Sequence, residues 1–353
     1  MKSLRKIPAL LCSLALAALS AAPQQKPAPP VPQEDAQVRI VREVNLVVVP
    51  VTVKDGDAHL VVDLRKEEFR IFEDNVEQNL DAFSNDPFPL SIVVLIDNEL
   101  PKSTAQQVQS SLPAIVSALS DRDEVFVCRF DVNFHPGKGF TRDTDKLLTE
   151  LKRTTLASEP ARGTPGGPLG AGPTINGLPA PGAPQTLPGS QKMTSQRIKA
   201  LDDAVYEASE LLKDRGRDRR KMVLLISDGE NVKKYKYTFD DAVKKLLEAN
   251  ISVFCVGVGE ASYRHSVPIV PHRSSPLPRY ANSTGGDVFY AAKRDSLEDV
   301  YSRATEEARN QYTLAYVPRG TDRSIDYHSI EVRVKRPGLT IRTRDGYYVP
   351  SIR

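Results

Sequence analysis

The chain has 353 residues and a formal net charge of +3, with 40% apolar and 26% charged residues and three cysteines. That size and composition suit a globular protein of two or more domains. The near balance of charge argues against a strongly basic nucleic-acid binder and against a polybasic membrane-surface protein.

Lys2, Arg5 and Lys6 precede an Ala/Leu-rich apolar run from Ile7 to Ala22 that ends in small residues, so residues 1–22 read as a secretory signal peptide. The run falls short of the ~20 apolar residues of a spanning helix. Cleavage and export, to the periplasm or beyond, is therefore favoured over a stable membrane span. Residues 1–22 hold no acid, so losing those three cations leaves a mature chain of balanced charge. Residues 23–37, rich in Pro and Gln, read as a disordered linker.

Residues 38–86 read as β. Val47, Val49, Val51 and Val53 alternate, Phe69 to Phe72 and Asn79 to Phe83 suit strands, and Glu73-Asp74-Asn75 suits the turn between them. From Pro89 strands alternate with helices, which predicts an α/β domain over 87–310. Val108 to Leu119 carries a helical face interrupted by Pro113, and Asp143-Thr144 opens a short helix through Leu151. A third helix carries Leu201, Ala204, Val205, Ala208 and Leu212. Thr238 with Asp241, and Ser296 with Asp299, have the spacing of capping pairs for two more. Glu124 to Phe130, Ile251 to Val258 and Asp287 to Tyr290 read as strands.

Within this block residues 156–192 hold eight prolines and eight glycines, which predicts a disordered insertion. Tyr263 to Arg279 reads as a loop and Arg215 to Lys221 as a solvated basic turn. From Tyr312 the β pattern returns over 311–353. The β segments before and after the α/β block are too short to stand alone, so they are expected to pair into one small antiparallel domain. Cys128 and Cys255 lie in apolar strands and read as buried free thiols.

Two of the apolar strands end in carboxylates. Asp97 closes Ser91 to Ile96, and Asp228 closes Met222 to Ser227. Parallel strands of this kind place a site at their carboxyl ends. No hydroxyl follows Asp97 until Ser103. The five histidines are scattered and lack zinc-ligand spacing. No nucleophile–base set, phosphate-binding loop or metalloprotease helix is present, which makes an enzyme, such as a metal-assisted hydrolase, a distant third reading.

The ordered motifs Asp63-Leu64 through Glu73-Asp74, Val93 to Asp97, Leu225 to Asn231, Thr284-Gly285-Gly286, Gln311 to Tyr316 and Arg344 to Tyr348 resemble the von Willebrand factor A-type (vWA) domain proteins. Among these the chain is most similar to the vWA-related family described in acidobacteria. The resemblance implies a doubly wound, mostly parallel, Rossmann-like sheet with a metal ion-dependent adhesion site at its carboxyl edge. That site would hold Mg2+ or another divalent cation and recruit a protein or other macromolecule. Carried over by position, Asp97 and Asp228 match the two aspartates. Glu99 and Pro101 stand where two serines belong, and Lys199, just before Ala200-Leu201-Asp202-Asp203-Ala204, stands where a threonine belongs. Thr194 substitutes only if its loop is rearranged.

The site is thus degenerate. In the leading reading the Lys199 ammonium replaces the metal between Asp97 and Asp228. In the competing reading Asp97, Glu99 and Asp228 hold a weak divalent cation and Lys199 turns to solvent. A secreted, non-enzymatic interaction or adhesion module with impaired metal binding follows, with Asn98, Glu99, Lys199 and Glu230 near the partner. The alternative is an envelope scaffold that works through the β domain and the Pro/Gly insertion.

Overall fold

Strands made of uninterrupted Val, Ile and Leu need cover on both faces, and the central strands of this protein receive it. The computed structural model describes residues 46–156, 174–175, 178–179, 199–216, 218–231, 236–259, 261–262, 275–291, 296–319 and 324–349. The segments read as signal peptide and linker, Thr194, His265, His272 and most of the insertion lie outside the described residues.

The chain opens with β1 (Val47–Lys54), β2 (Phe69–Glu73), β3 (Val76–Gln78) and β4 (Ala82–Ser84). The α/β block follows with β5 (Leu90–Asp97), α1 (Lys102–Ser111), β6 (Glu124–Phe130), β7 (Phe134–Pro136) and α2 (Thr144–Arg153). A minimal pair, β8 (Thr174–Ile175) and β9 (Leu178–Pro179), precedes α3 (Leu201–Leu212), β10 (Arg220–Ser227), α4 (Phe239–Glu248) and β11 (Ile251–Gly257). Then come α5 (Pro276–Thr284), β12 (Val288–Tyr290) and α6 (Leu297–Arg309), and finally β13 (Tyr312–Tyr316), β14 (Tyr327–Val334), β15 (Thr340–Thr343) and β16 (Gly346–Tyr348).

The central sheet has the order β12-β11-β10-β5-β6-β7, parallel except for β7. Alternation along its strands divides two cores. Ile92, Val94, Met222, Leu224 and Phe254 face α1, α2 and α6, and Val93, Leu95, Val223, Leu225 and Val253 face α3, α4 and α5. The fold is therefore the mixed α/β, mostly parallel arrangement read from the sequence.

The flanking β segments form two four-stranded antiparallel sheets, β15-β1-β13-β4 and β16-β14-β2-β3. They close on one apolar core that includes Val49, Val51, Phe69, Ile71, Tyr312, Tyr316 and Val332. Each sheet takes strands from both ends of the chain. In the β2–β3 hairpin Asp74 and Asn75 both adopt positive φ, 48° and 66°, as a two-residue turn of matching twist requires. Pro337-Gly338 does not make a hairpin, because β14 and β15 it joins lie in different sheets.

Several local expectations are met through capping. Thr238–Asp241 and Ser296–Asp299 form capping boxes, and Asp143 caps α2. Pro113 ends α1 by turning the chain into a 3-10 helix over Leu112–Ala118. Cys128 and Cys255 are free and buried, and burial pushes the Cys128 thiol up to about 12.

Two expectations need correction. Pro276 to Arg279 is the start of α5 rather than loop, because Ser275 caps Leu277 N and proline is tolerated in a first turn. The Arg215–Lys221 cluster is not a solvated turn. Arg215 grips Glu124 with two bonds of 2.7 Å, Arg219 Nε donates to Ser91 Oγ at 2.9 Å, and Arg220 donates to Gln311 O and Thr313 Oγ1. Within residues 156–192, β8 pairs antiparallel with β9.

Buried polar contacts join the antiparallel layer to the α/β block. Lys54 Nζ lies 2.7 Å from Asp287 Oδ2 and 2.5 Å from Glu307 Oε2, while Glu307 Oε1 is buried without a hydrogen-bond partner among the described residues. Burial, opposed by Lys54, raises the Glu307 carboxyl from 4.5 to about 7. The unfolded chain therefore loses this proton at lower pH than the folded one. Stability should fall as pH rises from 4.5 to about 7. Glu307→Gln should remove that slope, which for a buried carboxyl amounts to roughly 2–4 kcal/mol. Urea midpoints of the two proteins across that interval check it, and parallel pH profiles would contradict it.

Candidate functional site

Register decides what meets at the carboxyl edge. β10 pairs with β5 so that Ile226 lies opposite Ile96, and β5 pairs with β6 so that Asp97 lies opposite Phe130. Three adjacent strands thus end together, and Asp97, Ser227, Asp228 and Asp131 fall at one place. Gly229 then turns away at a φ of 76°. A Cβ there would stand 2.6 Å from Ser275 Oγ, so the turn after Asp228 suits glycine.

Lys199 enters this cluster from the residue pair that leads into α3. Ala200 N donates to Asp131 O at 2.9 Å, and Leu201 N donates to Asn231 Oδ1 at 3.0 Å. Ala200 has no capping side chain, so Asn231 caps the helix from the loop after β10. Asn231 Nδ2 also donates to Asp202 Oδ2 at 2.7 Å, and Tyr280 OH donates to Asp202 Oδ1 at 2.7 Å. The start of α3 is pinned from three directions, and Lys199 with it.

The Lys199 ammonium donates to Asp97 Oδ2, Asp228 Oδ1 and Asp228 Oδ2, each at 2.8 Å. Three N–H groups thus meet three carboxylate oxygens. Asp97 Oδ2 also accepts from Ser227 Oγ at 2.8 Å, and Asp97 Oδ1 from Glu99 N at 2.9 Å. Glu230 N donates to Asp228 Oδ1 at 3.1 Å. Asp97 and Lys199 are fully buried and Asp228 is 6% exposed. Burial opposes the Lys199 charge, but Asp97 and Asp228 outweigh it and hold its pKa above the ordinary lysine value. Burial raises the Asp97 carboxyl, with Asp228 adding to the effect and Lys199 opposing it.

The other residues singled out from the sequence are placed as follows. Asn98 and Glu99 are half-buried beside Asp97, and Glu230 is exposed beyond Asp228. Lys199, expected near a partner, has no exposed surface. Pro101 opens α1 and accepts from Ala105 N. Asn98 Nδ2 and His135 Nε2 both lie against Asp131 Oδ2, at 3.2 and 2.9 Å. Burial works against ionisation of Asp131, yet the Asn133 amide, Asn98 and His135 together hold its carboxyl below the ordinary value.

Asp131, His135, Ser227 and Asn231 were not read as site residues. A signal existed for Asp131, since it directly follows a strand as Asp228 does. Asp97, Glu99 and Asp228 do not form a tight three-ligand set. Among the described residues the set whose ligating atoms lie within 4.8 Å of one another is Glu73, Asp74 and His328, in the antiparallel layer. There His328 Nδ1 lies 2.6 Å from Asp74 Oδ2, and the Tyr316 and Tyr347 hydroxyls donate to Glu73 Oε2.

A buried cation between two carboxylates makes the site sensitive to its removal. Lys199→Met should destabilise the protein by about 3–5 kcal/mol, because two buried carboxylates lose their counter-charge. The triple variant Asp97→Asn, Lys199→Met, Asp228→Asn should lose less than the single one. Chemical denaturation of both decides it, and a single variant as stable as the parent would contradict the role of the ion pair.

Residues 185–303 match the family model of the von Willebrand factor type A domain. That segment contains Lys199 and Asp228, and Asp97 precedes it. No curated protein matches the chain. Among solved structures the chain is similar to a von Willebrand factor type A protein from Catenulispora acidiphila, at 10% identity and a TM-score of 0.42 over 81% of this chain and 74% of that one. An aerotolerance-related membrane protein from Bacteroides fragilis, carrying multiple mutations to serines, aligns at 12% identity and a TM-score of 0.39 over 62% of this chain and 99% of that one. The manganese-loaded TRAP protein of Plasmodium vivax aligns at 14% identity and a TM-score of 0.37 over 79% and 99%.

Proposed function

Because this chain carries a von Willebrand factor type A domain, we propose that it is an exported, non-enzymatic interaction module that meets a macromolecular partner along the carboxyl edge of its central sheet, without a bridging divalent cation. Domains of this type are in general interaction modules. The observation that carries the reading is the filled centre of that edge, where the Lys199 ammonium bonds three of the four oxygens of Asp97 and Asp228. The fold family implies a hard divalent cation there, and the side chains present do not suit one. Such an ion needs about six oxygens in near-ideal geometry. Pro101 offers none, and an ammonium already stands among the carboxylates.

Around this centre, where one ammonium offsets one of two carboxylates, Asn98 and Glu99 are half-buried and Glu230 is exposed, and ligands of open α/β sheets bind at these strand ends. Glu99, Glu230 and Asp131 make the rim acidic, which favours a partner surface carrying lysine or arginine. The signal-like segment over 1–22 supports export, and among the described residues no helix is long and apolar enough to cross a membrane. The two free cysteines are buried, and burial pushes the Cys128 thiol up to about 12, which does not suit a nucleophile.

An envelope scaffold role through the antiparallel β segments and residues 156–192 is the second reading, since so Pro/Gly-rich a stretch interrupts an otherwise regular α/β block. Cross-linking capture from envelope extract should separate the two. Glu99→Ala with Glu230→Ala should abolish capture, while deletion of 157–192 should leave it intact. The reverse pattern would establish the scaffold reading.

A further inference from the structure

Three features of the strand-end cluster go beyond charge neutralisation. First, the cluster is saturated: each oxygen of Asp97 and Asp228 accepts at least one hydrogen bond from Lys199, Ser227, Glu99 N or Glu230 N. Secondly, the cation is tethered. The backbone that carries it is fixed by Ala200 N to Asp131 O and by Asn231 at the helix start, so occupancy does not depend on any solute concentration. Thirdly, what surrounds the ammonium is a cage of hard oxygen donors. The two carboxylates converge on it from the end of β5 and the turn after β10, and Ser227 Oγ donates to Asp97 Oδ2.

We propose that Lys199 is a tethered substitute for a divalent cation and plugs a latent hard-cation site between Asp97 and Asp228. The proposal rests on the reading of this edge as the binding surface only for its biological use, which is that partner binding is constitutive and indifferent to divalent ions and chelators. Replacing the lysine by a short hydroxyl side chain opens the space that four methylenes and the ammonium filled. The vacated space is lined by two carboxylates and receives the hydroxyl of the new residue, with water to complete the coordination. Two negative charges facing an empty polar cavity attract a divalent ion more strongly than a monovalent one.

The test uses the full mature chain and Mn2+ or Mg2+ as the probe. Thermal unfolding is followed in EDTA and in millimolar metal for the parent, Lys199→Thr, Lys199→Met and the double variant Lys199→Thr, Asp228→Asn. The parent should show the same midpoint in both conditions and no heat of metal binding in a calorimeter. Lys199→Thr should unfold several degrees lower in EDTA and regain much of that loss in Mn2+. Lys199→Met and the double variant should not respond. Where Lys199→Thr does not fold in EDTA, recovery of folded protein on refolding with Mn2+ is the same result. Micromolar metal binding by the parent that disappears in Asp228→Ala overturns the proposal, and so does a Lys199→Thr protein that neither binds nor is rescued by metal. Partner capture by the parent in EDTA is read separately. Its absence with the metal results as expected would remove the binding-surface reading and leave the charge substitution standing.

Discussion

Two carboxylates brought together by parallel strand pairing cannot remain buried without a counter-charge. That constraint organises the carboxyl edge of this protein. β5 and β10 are neighbours in register, so Asp97 and the Ser227-Asp228 pair are delivered to one point by the sheet itself. Taking such charges out of water costs several kcal/mol each, and only well-placed donors offset it. The fold supplies them all: backbone amides of the following turns, the Ser227 hydroxyl and the Lys199 ammonium. The placement of α3, the cap from Asn231 and the link from Ala200 to Asp131 then read as the means by which one lysine is held in position.

Much of the fold is legible in the sequence because its signals are local. The unbroken apolar runs mark doubly covered strands, and the Thr238–Asp241 and Ser296–Asp299 spacings mark helix starts that become true capping boxes. Pro276 and Pro278 obscured α5, since proline reads as a breaker until Ser275 is seen to cap the first turn. At the candidate site Asp97 and Asp228 stand out as carboxylates that close apolar strands, whereas Lys199 is picked out only by the family resemblance. The roles of Ser227 and Asp131 depend on which strands are neighbours and in what register, and neither is written in a local pattern.

The same limit explains the basic cluster near Arg215. A run of arginines looks solvated until the acids that meet it are known to lie far away in sequence, as Glu124 does for Arg215. Its partner Arg220 reaches the backbone of Gln311 and so joins the α/β block to the antiparallel layer. Together with Lys54 between Asp287 and Glu307, this adds directional polar contacts to a junction where Tyr327 and Tyr348 also pack on the α/β core. Polar contacts of this kind fix orientation well, because a small slip leaves buried charges unmatched.

The antiparallel layer takes strands from both ends of the chain, which bears on the order of events during synthesis. Among the described residues β1 takes β13 and β15 as its neighbouring strands, and β2 pairs with β14 more than two hundred residues later. Until the ribosome has finished nearly the whole polypeptide, the valine-rich opening strand has nothing to pair with. Closing so long a loop is slow, and the exposed strand meanwhile is a target for chaperones and for self-association. The alternating α/β middle, whose β5–β10 pairing spans about 130 residues, is by contrast translated in full before its two flanks can meet.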